Sequence, residues 1–152
     1  MSPLRTLALV VLVVAATTVT LSAATRRGHF SSIVDTELCA SIVGICTEGT
    51  LTGALKGIFS FTATSLTPSI DTATTGVVFY TGDLILTTKD GQLFCKDAGA
   101  FDGNEPGAVS SVCSISGGTG EFAGVSGTIQ FVGTFTLAGG GDGEYRAMIT
   151  VP

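Results

Sequence analysis

Residues 128–137 read Thr128-Ile129-Gln130-Phe131-Val132-Gly133-Thr134-Phe135-Thr136-Leu137. Ile129, Phe131, Phe135 and Leu137 fall on one face with Gly133, while Thr128, Gln130, Val132, Thr134 and Thr136 fall on the other. A period of two is the signature of a strand with one buried face. Residues 144–151 repeat it, with Tyr145, Ala147, Ile149 and Val151 alternating against Arg146, Met148 and Thr150. Towards the N-terminus, similar runs occupy 109–116, 93–98, 83–88, 76–81, 58–66 and 49–55, and the run at 58–66 puts Phe59, Phe61 and Ala63 on one face. The stretch 76–88 is interrupted at Gly82, where a bend or bulge is expected. Lys89-Asp90-Gly91-Gln92 is a hairpin signal. Eight short runs joined by short turns, with no helical segment long enough for a parallel crossover, predict an all-β, antiparallel arrangement. Glycines at 82, 99 and 133 inside the runs supply the coiling that closure needs, which favours an eight-stranded antiparallel β-barrel over a stacked sandwich. The barrel domain is expected over 49–152.

Composition agrees with strands and turns. The chain of 152 residues holds 21 glycines, about twice the usual share, and only 12% charged residues. Its formal net charge of −5 gives no basic patch for nucleic acid or an anionic membrane. The single histidine, His29, argues against Ser-His hydrolysis and against a poly-His metal site, and no cofactor is implied.

Residues 1–24 combine Arg5, an apolar run over 7–16, a Thr-rich stretch and Ser22-Ala23-Ala24. This is the pattern of a secretory signal peptide with small residues at the cleavage site, so a secreted or extracytoplasmic chain starting near Thr25 is expected. The competing reading is an uncleaved membrane anchor, because residues 7–24 just reach the length of a spanning helix and Arg26-Arg27 follow. Residues 25–48 show no clear period and are expected to form an N-terminal arm. Cys39, Cys46, Cys95 and Cys113 lie in the exported part, where an even number suggests disulfides rather than zinc. Of the three pairings that four cysteines permit, the expected one joins Cys39 to Cys46 across a small loop at the barrel entrance and Cys95 to Cys113 between successive strands.

Residues 117–128, GGTGEFAGVSGT, are similar to the GGTGxFxxxxG motif of the allene oxide cyclase and dirigent superfamily, where it joins two late strands of an eight-stranded barrel. The hairpin GDLILTTKDGQLF at 82–94 fits the same pattern, and the resemblance, which spans about 49–152, is strongest to secreted bacterial members. It implies a lumen that binds a small apolar molecule or steers its cyclisation, an isomerase-type activity without cofactor, and a homo-oligomer. The catalytic signatures of those families are not recognisable in residues 49–66, so no catalytic residue is carried over. On physical grounds the motif glycines are structural, with Phe122 plugging one barrel end; the Gly118-Thr119-Gly120 loop lacks the Lys of a phosphate loop and leads into a strand.

Among acids, Asp83 and Asp97 sit within otherwise apolar runs. Either would be a candidate general acid or base if it pointed into a lumen lined by Phe59, Phe61, Phe79 and Phe131, because desolvation raises a carboxyl pKa. The plainer alternative has Asp83 facing solvent and Asp97 pairing with Lys96 or Lys89 at the rim. Tyr80, Tyr145 and Arg146 are candidate polar contacts at the mouth. The alternative to a ligand-binding barrel is a non-catalytic structural or surface-interaction module whose lumen is filled by side chains.

Overall fold

A computed structural model describes residues 23–35, 37–69, 76–104 and 106–152. Eight strands follow one another: β1 (Ala23–Asp35), β2 (Cys46–Gly53), β3 (Gly57–Pro68), β4 (Val77–Thr88), β5 (Gly91–Asp102), β6 (Gly107–Gly118), β7 (Ser126–Thr136) and β8 (Gly140–Thr150). Each pairs antiparallel with its sequence neighbour, and β1 pairs with β8 to close the barrel. Closure leaves no strand edge open for adventitious pairing.

Three expectations change. The segment expected as an arm supplies β1, in register from Gly28 opposite Gly53 to Asp35 opposite Cys46. The stretch 76–88 is one strand, not two, and Gly82 lies within it opposite Ala63 and Asp97. The irregularity expected at Gly82 falls on its partner strand β3, between Ala63 opposite Gly82 and Ser65 opposite Thr81, and a second lies between Phe94 and Cys95. Residues 1–22 of the expected signal peptide lie outside the described residues, while Ala23 and Ala24 already pair with Thr150 and Ile149 in β1. No helix among the described residues is long and apolar enough to cross a membrane.

Alternation sorts the side chains. Leu84 and Leu86 on β4, Leu93 and Cys95 on β5, and Ile129 and Phe131 on β7 are buried inside, and the residues between them face outward. Space for the inner rings comes from glycines on facing strands. A Cβ at Gly28 would meet the Tyr145 ring, one at Gly49 the Phe59 ring, one at Gly82 the Phe61 ring and one at Gly143 the Phe30 ring. Each ring covers backbone that a larger residue would have pushed away, a small-against-large fit that a narrow barrel requires.

The two ends differ. At one end Leu55, Leu86, Leu93, Phe122, Val125 and Ile149 form a packed floor, each burial stabilising the fold by about 2 kcal/mol. Phe122 is delivered by a single 3-10 turn, Gly120–Phe122, bounded by left-handed glycines at 120 (φ +60°) and 124 (φ +75°) that L side chains tolerate poorly. The β4–β5 hairpin lies at the same end and turns on Lys89 and Asp90, with Gly91 at φ +144° paired opposite Thr88. At the other end the β1–β2 loop is closed by the Cys39–Cys46 disulfide, with a Cα separation of 5.4 Å. This is the end that opens.

Candidate functional site

The upper half of the lumen contains a cavity of about 80 Å³ that opens towards the loops. Its walls are aromatic: Phe61 and Tyr80 meet edge to face with centroids 5.6 Å apart, Tyr80 continues to Phe101 at 6.1 Å, and Phe101 to Phe135 at 5.3 Å. Across the lumen Phe30 and Phe131 form a second edge-to-face pair at 5.6 Å. Leu84 and Ala63 complete the lower wall.

One charged residue is set into this apolar surface. Asp97 on β5 is 5% exposed, and its Oδ1 has no hydrogen-bond partner. Burial pushes its carboxyl up to about 6, although the buried Ser111 hydroxyl on β6 and the Ala98 backbone N–H favour the charged form. Tyr80 stands beside it on β4; burial, then the negative charge of Asp97, push its phenol up, while the same Ser111 hydroxyl draws it back. Asp97, Ser111 and Tyr80 therefore form a compact polar group at the floor of an aromatic cup. A buried acceptor without a donor costs stability and calls for a partner.

The expected site residues divide sharply. Phe59, Phe61, Phe131 and Tyr80 line the cavity, and Asp97 faces inward rather than pairing with Lys96 or Lys89. Asp83 lies half-exposed on the outer face, ion-paired with Lys96, as the plainer alternative had it. Phe79 is 51% exposed on the outside, because Leu84, Gly82 and Tyr80 hold the inward positions of β4. Arg146 is exposed on the outer wall opposite Arg27, away from the mouth. Tyr145 belongs to the closed half: its hydroxyl accepts from the Leu55 N–H at 2.6 Å and donates to the Leu55 carbonyl at 3.1 Å. Tyr145→Phe leaves both buried backbone groups unpaired, and a loss of about 1–2 kcal/mol in urea-unfolding stability is expected, with the cavity residues' NMR shifts unchanged.

Phe30, Phe101, Phe135 and Ser111 also line the cavity and had not been singled out. For Ser111 a signal existed: it shares a face with Val109, Cys113 and Ile115, a hydroxyl on an otherwise apolar row. Phe30 was hidden in the segment expected as an arm.

Cys39 and Cys46 are bonded, but Cys95 and Cys113 are buried free thiols. The β5–β6 register sets Cys95 opposite Ile115 and Cys113 opposite Asp97, so the two cysteines are diagonal rather than direct neighbours. Diagonal sites lie about 7–8 Å apart, beyond the about 4.4–6.8 Å that a disulfide spans. A hydrogen bond with Cys95 and then burial push the Cys113 thiol up and keep it protonated and unreactive. Alkylation of the native protein is expected to label neither thiol, and unfolding without reductant to expose two. Recovery of a Cys95–Cys113 crosslinked peptide would show the opposite.

Comparison of the chain with family models, curated proteins and solved structures gave no match.

Proposed function

We propose that the protein is an extracytoplasmic binding barrel that takes the head of a small, largely apolar molecule into its lumen and anchors it through a hydrogen bond donated to Asp97. The observation that carries this is the unpartnered Oδ1 of Asp97 at the floor of an aromatic cavity. The disulfide at the mouth and the signal-like residues 1–24 support export. The similarity of GGTGEFAGVSGT to allene oxide cyclase and dirigent barrels supports a lumen-binding role.

Volume limits the occupant. The cavity is about half the roughly 150 Å³ that accommodates benzene and well below the roughly 300 Å³ of drug-sized sites. The head group goes in and the remainder stays at the mouth against Leu66, Val109 and Phe135. That shape suits retention better than cyclisation, which needs room for a chain to fold back on itself. The same small volume favours the second reading, a barrel packed by its own side chains and serving as a structural module. Native mass spectrometry of protein purified from its own host distinguishes them. A retained small molecule that Asp97→Asn releases supports binding, whereas an empty barrel whose lumen signals respond to no hydrogen-bond-donating probe supports the structural module.

A further inference from the structure

Charge is not spread evenly along the barrel axis. Asp35 and Glu37 follow one another at the end of β1 and in its loop, Asp102 ends β5, and Asp142 and Glu48 lie within three residues of the starts of β8 and β2. All five are at the open end, where no Lys or Arg occurs among the described residues. Arg26, Lys56 and Lys89 cluster around a groove at the closed end, and Arg27 and Arg146 face each other in the same half. Glu48, Asp102 and Asp142 stand at outward strand positions around the mouth, so an approaching molecule meets their summed negative field, and a field of one sign concentrates the opposite sign.

We infer that the ligand is a cation, a small primary or secondary ammonium carrying an apolar body, whose charged head passes the acidic mouth and sits on Asp97 Oδ1 within the aromatic cup. This rests on the binding role proposed above and names its ligand class. Three independent features meet in it: the acidic rim, the buried unpartnered carboxylate oxygen and the ring faces of Phe61, Tyr80 and Phe131, which attract cations. A neutral hydroxyl would satisfy Oδ1 but would gain nothing from the rim. A carboxylate or phosphate would be repelled at the mouth and again at the floor.

No cation among the described residues competes for Asp97. The titratable groups that face it are Tyr80 on β4, Cys95 on its own strand and Cys113 on β6; the cavity residues of β1, β2, β3 and β7 are uncharged. Lys96, the next residue on β5, is on the outer face and paired with Asp83. Among the described residues Asp97 is thus the one charged side chain that lines the cavity an ammonium would enter, and the ammonium holds it ionised.

Three six-carbon probes with different heads test the assignment on the full chain: n-hexylammonium, 1-hexanol and hexanoate, titrated by calorimetry or by NMR shifts of the lumen residues. Hexylammonium is expected to bind about tenfold or more tighter than hexanol, with hexanoate weaker than both. Asp97→Asn is expected to abolish that preference, bringing the amine's affinity down to that of hexanol. The wild-type protein gives a second measure that needs no variant. Hexylammonium stays charged from pH 7.5 to 5, so its affinity should fall about tenfold as the free acid takes up its proton, and hexanol's should not. Raising salt to about 0.5 M should weaken the amine selectively by screening the rim. Hexanol binding as tightly as the amine, or an amine preference that survives Asp97→Asn, overturns the cationic assignment and leaves the binding role standing. Failure of all three probes to bind overturns both.

Discussion

Replacing Asp97 with asparagine is expected to make the protein more stable at neutral pH. The folded state raises this carboxyl from an ordinary 3.8 to about 6, chiefly by burial. A group that holds its proton more tightly when folded favours folding in its protonated form. Its penalty is therefore absent below about pH 4, grows as pH rises between 3.8 and about 6, and is complete above that range. The difference corresponds to about 3 kcal/mol at pH 7, at a site only 5% exposed. Asparagine keeps the shape and removes the charge, but it places an amide N–H without an acceptor where Oδ1 has no donor, which takes back about 1 kcal/mol or more. A net gain of about 1–2 kcal/mol at pH 7.5, vanishing or reversing at pH 4, should appear in urea midpoints measured across the range. The wild-type protein should itself gain stability from this group on acidification from pH 7 to 5. Destabilisation of Asp97→Asn by the same amount at every pH would show that the carboxylate is not under strain. An acid that weakens its own fold is the signature expected of a residue kept for binding.

Gly82→Ala should have the opposite effect, a loss of about 2–4 kcal/mol. The added methyl would run into the Phe61 ring and crowd the Thr62 carbonyl on the neighbouring strand. Neither φ strain nor a turn is involved, because Gly82 sits in mid-strand without a positive φ, opposite Ala63 at the edge of the β3 irregularity. The cost is steric and part of it lies in a movable ring. Phe61→Leu in the same chain should consequently recover part of the loss, giving a favourable coupling in a double-mutant cycle, while the clash with backbone keeps the double variant below wild type. Additive effects would mean that the ring does not rest on Gly82.

How far these sites were legible follows from their contrast with neighbours. From β3 onward, large apolar residues recur at inward positions and outward ones are mostly Ser, Thr or charged, so alternation survives in the sequence. In β1 the inward row is Gly28, Phe30, Ser32 and Val34, a weak contrast, because two of those positions are small. The strand was consequently missed, and splitting β4 at Gly82 restored the count of eight for the wrong reason. A stricter use of period two separates the acids: Leu84 and Leu86 put Asp83 outside, whereas Leu93 and Cys95 carry Asp97 inside. The same parity puts Phe79 and Arg146 on the outer wall and Tyr80 and Tyr145 within. What alternation could not supply is the β5–β6 register, which sets Cys95 and Cys113 diagonally, with their thiols in hydrogen-bond contact but unbonded. Nor could it show that the 80 Å³ left in the upper half adjoins an acid without a partner.

The aromatic rings seated over glycines have a consequence for the family of sequences this backbone could carry. At Gly28–Tyr145, Gly49–Phe59, Gly82–Phe61 and Gly143–Phe30, all the bulk belongs to one member of the pair. Strand number and tilt fix the radius of the barrel, and the free bore within it is set station by station by how large a ring each glycine seat carries. Trimming a ring while its glycine is kept widens the channel at one height only. The same wall can in this way be graded to guests of different girth, with each step paid in core packing at a known pair.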